Sequence, residues 1–369
     1  MKKIKRRLLC LLLCVCMCSS LLVYVNAIEP LDGPINADDN ATLIRPTLEV
    51  SDVPQGAVAI GYNLSDTNTY YYRVNGDVVS LNPDANTFVE QGWMPDVGNT
   101  VFPNRVIGTD DREKVEDWEM SQNPYRAIAL LEVWYWSNEL NAEVIGRGTA
   151  TMISPNVALT AAHCLYDREL GWPIVLRVSP GVYGSAYSPT RPFGVSYATE
   201  VVVSLPYHEI QDDNDPNLEK YDWGLIYLDY PIGNESGYLG FEYTTGSMVT
   251  TIETPYSSIS GYPGDRNQID GSWATYNQYY AVDEITQDTS GQMVFNGIAH
   301  EYRELMHIID TGTGQSGSAI LYPKLLTMAA YVIRGVHTRW ENASTNAAVG
   351  ITSQMYSFML AYKNLHLND

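Results

Sequence analysis

From Arg126 onward the chain reads as short apolar runs, rich in β-branched and aromatic residues and separated by turn residues. RAIALLEVWYW (126–136), IGRGTATMIS (145–154), VALTAAHC (157–164), GLIYLDYPIG (224–233), TTIETPYSSISGYPGD (250–265), MVFNGIAHEY (293–302) and AAYVIRGVHTRW (329–340) are the clearest. Runs this short and closely spaced predict strands, and many short strands without long amphipathic helices predict an all-β sandwich or a pair of barrels. One segment breaks the pattern. In SQMYSFMLAYKNLHL (353–367), Met355, Met359 and Tyr362 form a helical stripe with Leu360 beside it, so a helix over about 353–367 ends the fold. Between Ile28 and about Arg105 the chain is rich in Pro, Asn, Asp and Gly, with brief apolar alternation in GAVAIGY (56–62). No helical period of useful length appears there, so the segment reads as loosely ordered. The sequence shows no internal repeat and no low-complexity tract.

The amino terminus changes the picture first. Lys2, Lys3, Lys5, Arg6 and Arg7 precede an apolar run that closes on Val25, Asn26 and Ala27, the layout of a secretory signal peptide over 1–27. The run from Leu8 to Val25 approaches membrane-spanning length, but a small-residue cleavage site follows it and no stop-transfer pattern comes later. The leader is therefore read as removed, leaving no membrane association. Four of the five cysteines (Cys10, Cys14, Cys16 and Cys18) would leave with it. Cys164 then has no partner for an intrachain disulfide, so apolar burial must hold the fold, and Cys164 itself reads as a small buried hydrophobe. The formal charge of −21 becomes −26 without the five cationic residues of the leader. Such acidity argues against nucleic acid or anionic membrane as a partner. The remaining length suits a prosegment (28–105) followed by one two-lobed domain (106–369).

Candidate chemistry enters through IIDTGTGQSGSAIL (308–321), where small polar residues stand between two apolar runs. A serine hydroxyl becomes a useful nucleophile only when a neighbouring base removes its proton, and histidine, with an ordinary pKa near ~6.5, is the natural base. A buried carboxylate must then hold the imidazole in one tautomer. Ser316 is the candidate nucleophile, His163 in ALTAAHCLYD the candidate base, and Asp222, placed just before the apolar run GLIYL, the candidate acid. Gly314 lets the backbone turn so that the N–H groups of Gly314 and Ser316 can face a developing oxyanion, and Gly317 is expected to leave room for substrate. An α/β-hydrolase elbow is excluded because position 318 is Ser where G-x-S-x-G needs Gly. The order His163, Asp222, Ser316 also differs from the subtilisin order and matches that of chymotrypsin.

With these residues in hand, LTAAHC, YDWGLIYL and GQSGSAI resemble the three catalytic motifs of chymotrypsin-fold serine proteases. More narrowly, VIGTDDREKV (106–115), NPYRAI (123–128), PIGNESGYLGFEYTT (231–245), SGYPGD (260–265), DTGTGQSGS (310–318) and GVHT (335–338) resemble segments of the bacterial glutamyl endopeptidases. The similarity runs from about Val106 to the carboxy terminus. It implies two six-stranded antiparallel β-barrels with a C-terminal helix, the first over about 118–230, the second over about 231–352 and the helix over about 353–367. It further implies a secreted enzyme of a Gram-positive bacterium that cuts protein or peptide substrates after Glu, more weakly after Asp, with no cofactor and no metal. A monomer is expected.

Carried over residue by residue, the resemblance makes His163, Asp222 and Ser316 base, orienting acid and nucleophile, and Gly314 and Ser316 the oxyanion donors. The pocket for the residue before the scissile bond (P1) is expected from His337 in RGVHTRW, on the strand after the nucleophile, and from Thr311, five residues before it. An imidazole and a hydroxyl can both donate hydrogen bonds to a carboxylate. Asp310 stands where trypsin-like enzymes carry the aspartate that attracts Arg or Lys, so specificity for basic residues is the alternative, as is a catalytically silent binding module or toxin. If Asp310 lined the pocket it would repel a Glu side chain; the Bacillus-type enzymes that the chain resembles also carry Asp at this point, which implies that it is turned away or paired. Gln315 cannot form the ion pair with a new amino terminus that activates chymotrypsin-like zymogens. In the glutamyl branch the new amine instead adds positive potential near the P1 site. The matching mature amino terminus is Val106, after Arg105, with Arg105 itself as the alternative. A Glu-specific enzyme should not cut there, so a separate processing protease is expected.

Overall fold

The computed structural model describes residues 42–44, 57–67, 69–75, 87–90 and 110–367, apart from 213, 252–255, 270–271, 296, 325–330 and 343. The leader and Val106 lie outside the described residues. Ahead of the main body come β1 (Thr42–Ile44), β2 (Ala57–Asn63), β3 (Thr69–Asn75), β4 (Thr87–Glu90) and β5 (Glu113–Lys114). The next six strands are β6 (Ile128–Ser137), β7 (Ala142–Met152), β8 (Val157–Thr160), β9 (Val175–Pro180), β10 (Ser196–Ser204) and β11 (Gly224–Leu228). They pair antiparallel in the order β10–β11–β8–β7–β6–β9. The ring closes where Ser196 and Tyr197 of β10 pair with Val178 and Arg177 of β9.

Closure explains why RAIALLEVWYW is apolar with little alternation. One face of β6 looks into the barrel, and the strand also touches the second half of the molecule, so Ile128 to Val133 are buried throughout. The exception in that run, Glu132, is buried with its carboxylate accepting from Arg177 Nε at 2.9 Å and from the Tyr276 hydroxyl at 3.1 Å. A buried charge is tolerable only with partners of this kind.

The second half begins with β12 (Gly240–Thr244) and β13 (Ser257–Gly261), then a small pair, β14 (Gln268–Ile269) and β15 (Ser272–Trp273). It continues with β16 (Tyr279–Asp283), β17 (Ile285–Phe295), β18 (Ile298–His307), β19 (Ala319–Pro323), β20 (Tyr331–Asn342) and β21 (Thr345–Gly350). Pairing runs β17–β18–β21–β20–β19–β13–β16. Only Glu284 separates β16 from β17, so one bent strand joins both ends of that path and closes a second ring of six. Ile259, Ala281, Ile285, Leu305, Ile320 and Ala348 form a separate core cluster here.

Helices are few: α1 (Leu205–Glu209), α2 (Gly233–Ser236), α3 (Gly264–Asn267) and α4 (Ser353–Leu365). The Thr352 hydroxyl caps α4 by accepting the Met355 N–H at 3.1 Å. Its buried face includes Tyr356, Phe358 and Ala361 as well as the Met355, Met359 and Tyr362 stripe, because α4 is covered from two sides, by β12 and β18 and by β1 and β3. Each large apolar side chain so buried contributes roughly 1.5–3 kcal/mol. No helix among the described residues is long and apolar enough to cross a membrane.

The structure differs from the sequence expectation over 57–75, which is ordered. β2 and β3 form an antiparallel pair, and β2 extends the first sheet by pairing Ala59–Asn63 with Ser204–Glu200 of β10. The physical reason lies in β10 itself. Its first two residues close the barrel on β9, so the stretch from Glu200 to Ser204 is left as a sheet edge whose backbone groups need partners. β4 likewise pairs with β12.

Within the second half, an ion pair ties the long β17–β18 hairpin to the segment that follows β12. Arg303 of β18 is buried, its Nη2 donating to Asp288 at 2.6 Å and to the Gly246 carbonyl at 2.6 Å. Asp288 in turn accepts the Met248 N–H at 2.7 Å. Arg303→Met would strand the Asp288 carboxylate, and we expect it to lower stability by about 3–5 kcal/mol in chemical denaturation. A loss below about 1 kcal/mol would mean that water replaces the guanidinium without penalty.

Candidate active site

The barrel topology brings together residues that lie far apart in the chain. β8 and β11 are neighbours, with Thr160 opposite Gly224. The turn that follows β8 therefore sits beside the residues that precede β11. His163 is on that turn, a single 3₁₀ turn over Ala162–Cys164, and Asp222 lies two residues ahead of the strand. Both oxygens of Asp222 are engaged: Oδ1 accepts the His163 backbone N–H at 2.9 Å and Oδ2 lies 2.6 Å from His163 Nδ1. Asp222 is buried, whereas about a third of the His163 side chain is open to solvent (36 %). Burial works against a charged imidazole here, but the Asp222 carboxylate outweighs it and raises the His163 pKa well above the usual value. One ring nitrogen is thus fixed on the acid, and the ring is strengthened as a proton acceptor at the other.

Ser316 comes from the second half, in the loop between β18 and β19, and the first barrel holds that loop. The Ser316 carbonyl accepts the Thr149 N–H at 2.9 Å, and Cys164 Sγ, next to His163, lies 3.7 Å from the same oxygen. The Thr149 hydroxyl donates to the Gly314 carbonyl at 2.9 Å and accepts the Tyr262 N–H at 3.0 Å. Thr149 is fully buried on β7 and joins both barrels at the Ser316 loop. No sequence signal singled it out.

Gly314 has φ +97° and Gly317 φ +86°, a backbone region that suits glycine. Among the described hydrogen bonds, none is donated by the N–H of Gly314 or of Ser316 to a protein acceptor. Gly317 corrects the sequence reading. A Cβ there would fall 2.1 Å from both the Thr149 carbonyl and the Thr160 hydroxyl, so the glycine permits close approach of the barrels rather than room for substrate.

His337 on β20 flanks the same loop: its N–H donates to the Ser318 carbonyl at 2.8 Å and its carbonyl accepts the Gly317 N–H at 2.8 Å. It is buried, and burial followed by the nearby His163 charge lowers its pKa to about 3. Behind it is a residue the sequence reading missed. His307 Nε2 lies 3.3 Å from His337 Nδ1 with the rings edge to face, and burial pushes the His307 pKa well below the usual value. Burial disfavours the charged form of both rings, and a hydrogen bond between those two nitrogens needs a proton on only one of them. Nothing in MHII distinguishes such a histidine from a packed core residue. Thr311 is half-buried in the loop, and no described hydrogen bond joins its hydroxyl to His337.

Asp310 is engaged elsewhere. Its Oδ2 accepts the Asp111 N–H at 3.0 Å, and burial together with Asp310 pushes the Asp111 carboxyl up to about 6. Arg112 pairs with Asp110 at 2.9 Å and Asp265 at 2.5 Å, and its Nη1 lies 3.4 Å from Gln315 Oε1. Gln315 is buried and folds back to accept the Gly312 N–H at 2.8 Å. The residues after Val106 are thus wired to the loop that carries Ser316.

Comparison with known proteins agrees with this arrangement. No family model matches the chain. A glutamyl endopeptidase of Bacillus licheniformis is 31 % identical over 264 residues, covering 70 % of this chain and 69 % of that protein. An extracellular metalloprotease of Bacillus subtilis is 30 % identical over 167 residues, 45 % of this chain and 47 % of that protein. A solved structure of a Glu endopeptidase matches with a TM-score of 0.50 at 26 % identity, over 70 % of this chain and all of that one.

Replacing the buried hydroxyl by Thr149→Val leaves the Gly314 carbonyl and the Tyr262 N–H without it. We expect kcat to fall roughly 3- to 10-fold, the worth of one ordinary hydrogen bond, with KM nearly unchanged and with recovery in Thr149→Ser. An unaltered kcat in Thr149→Val would show that the loop keeps its position without that bond.

Proposed function

The chain belongs to the glutamyl endopeptidase family and is a serine endopeptidase, and from that premise we propose that it is secreted and cleaves protein substrates after Glu, more weakly after Asp. In this reading Ser316 Oγ attacks the scissile carbonyl while His163 Nε2 takes its proton. Asp222 holds Nδ1 and stabilises the imidazolium. The N–H groups of Gly314 and Ser316 receive the oxyanion, and the proton on His163 passes to the leaving amine. Water then attacks the acyl carbonyl as His163 Nε2 takes its proton, the bond to Ser316 Oγ breaks with that proton returned to the serine, and the carboxylic acid product leaves. The observation that carries the reading is the double hydrogen bond from His163 to Asp222, beside a Ser316 loop fastened to the same barrel.

Specificity rests on the buried imidazole pair. A neutral His337 can donate from Nε2 to a substrate carboxylate only if its Nδ1 accepts a hydrogen bond, and His307 Nε2–H is placed to give it. His307 is thereby a positioning residue for His337, and Thr311 adds a hydroxyl donor. The engagement of Asp310 by the Asp111 N–H favours this reading over specificity for Arg or Lys. Measured as kcat/KM on peptides that differ only at P1 (Glu, Asp, Arg, Phe), with Ser316→Ala as blank, Glu should be preferred. His337→Ala should cost roughly 10- to 100-fold on the Glu peptide alone, as expected for a hydrogen bond to a charged group. His307→Phe should move selectivity in the same direction. Preference for Arg would make Asp310 the pocket residue.

Maturation follows from the same site. A Glu-specific enzyme lacks the means to cut after Arg105, so a trypsin-like protease is proposed to release Val106. The purified proenzyme incubated alone should keep its amino terminus. Efficient self-cleavage at Arg105–Val106, read by N-terminal sequencing, would overturn this step.

A further inference from the structure

The β2–β3 pair lies within the segment that maturation at Arg105 would sever, yet it is built into the first barrel. Resting on that maturation reading, we propose that residues 57–75 stay docked on the β10 edge after the cut, so that the mature enzyme is a complex of two chains without a covalent link.

Three independent features carry this. The first is the sheet itself: Ala59–Asn63 of β2 pair in register with Ser204–Glu200 of β10, an edge that no other described strand covers. Departure of β2 would leave that edge bare, and a bare apolar edge is a site of aggregation. The second is apolar burial. Ala57, Val58, Ala59, Ile60, Tyr70, Tyr71 and Tyr72 are all buried, in one cluster with Val201, Val203, Phe358 and Tyr362. Tyr72 meets Phe358 and Tyr362 edge to face at 6.1 and 5.8 Å, and Tyr62 stacks on Trp172 at 5.4 Å. Trp172 itself stacks on His208 of α1 at 5.5 Å.

The third feature is polar. Glu200 is buried at 1 % exposure, and its Oε1 accepts from the Tyr362 hydroxyl at 2.9 Å and from the Tyr72 hydroxyl. One donor thus belongs to α4 and the other to the segment that would be cut away. A carboxylate buried in that way is matched to the bound segment, and loss of Tyr72 would remove a hydrogen bond to a charged group. Farther along, β4 pairs with β12, so the segment is fastened to both halves of the molecule.

The test severs the full proenzyme at an introduced site for a sequence-specific protease in place of residues 102–107. The result then does not depend on natural processing, which N-terminal sequencing of the enzyme matured by its producing cells reads separately. We expect the amino-terminal fragment and the remainder to co-elute in size-exclusion chromatography under native conditions and to separate only in denaturant. Separate elution, whether or not the remainder stays folded, overturns the proposal. In the severed protein, Tyr72→Phe should speed fragment release at least 10-fold. An unchanged release rate would remove Glu200 as the anchor. A mature amino terminus other than Val106 combined with co-elution would fail the maturation reading and leave the docking intact.

Discussion

The arrangement depends on a seam of close contact between two closed sheets, and at its centre is a single buried threonine. Thr149 uses its N–H, its carbonyl and its hydroxyl at once, meeting Ser316, Thr160, Gly314 and Tyr262. A residue whose hydroxyl joins two groups and whose backbone joins two more, drawn from both barrels, fixes their spacing more tightly than apolar packing alone, because hydrogen bonds lose strength quickly with distance and angle. The absence of a Cβ at Gly317 is the steric half of the same constraint. His163 and Asp222 stand on one side of this seam and Ser316 on the other, so any loosening of it would shift the Ser316 loop relative to His163.

Some of this was legible in the residues alone. His163, Asp222 and Ser316 stand in short motifs whose chain order and immediate neighbours fit one arrangement of base, acid and nucleophile, and the run of small residues around Ser316 signals a tight turn in any fold. The second barrel closes through one bent strand, which reads in sequence as two runs with a single glutamate between them. Thr149, His307 and Arg112 were not legible. Each acts through a partner distant in sequence, and a threonine in a strand or a histidine among apolar residues is usually packing. The role of Gly317 was misread for the same reason, since its neighbour is the opposite barrel.

The paired imidazoles illustrate how burial selects a mechanism. A pocket for a carboxylate could hold a fixed cation, but a permanent charge buried without a counterion is costly when the site is empty. In the proposed P1 pocket, burial lowers the pKa of both His337 and His307 and so favours their neutral forms while the site is empty. Arrival of a carboxylate would then raise the proton affinity of His337, and His307 is placed to share the adjustment. The fixed positive charge nearby, Arg112, is instead neutralised by Asp110 and Asp265. Its effect on the loop is geometric, through Gln315.

The amino-terminal strands follow from the limits of barrel closure. β10 is longer than the partner that closes the ring, so its last residues form an edge on the outside of the barrel beside α4. The alternation in GAVAIGY marks β2 as a strand, but its partner is not deducible from it, because Tyr72 and Glu200 stand 128 positions apart. Both Glu200 and Tyr362 lie in the part of the chain that resembles the family, whereas Tyr72 lies ahead of it. A buried carboxylate shared between those two parts is hard to reconcile with a segment that only passes over the surface. Strand pairing, aromatic packing and the shared carboxylate each join residues 57–75 to the rest of the fold. A peptide-bond cut farther along the chain leaves all three contacts unchanged.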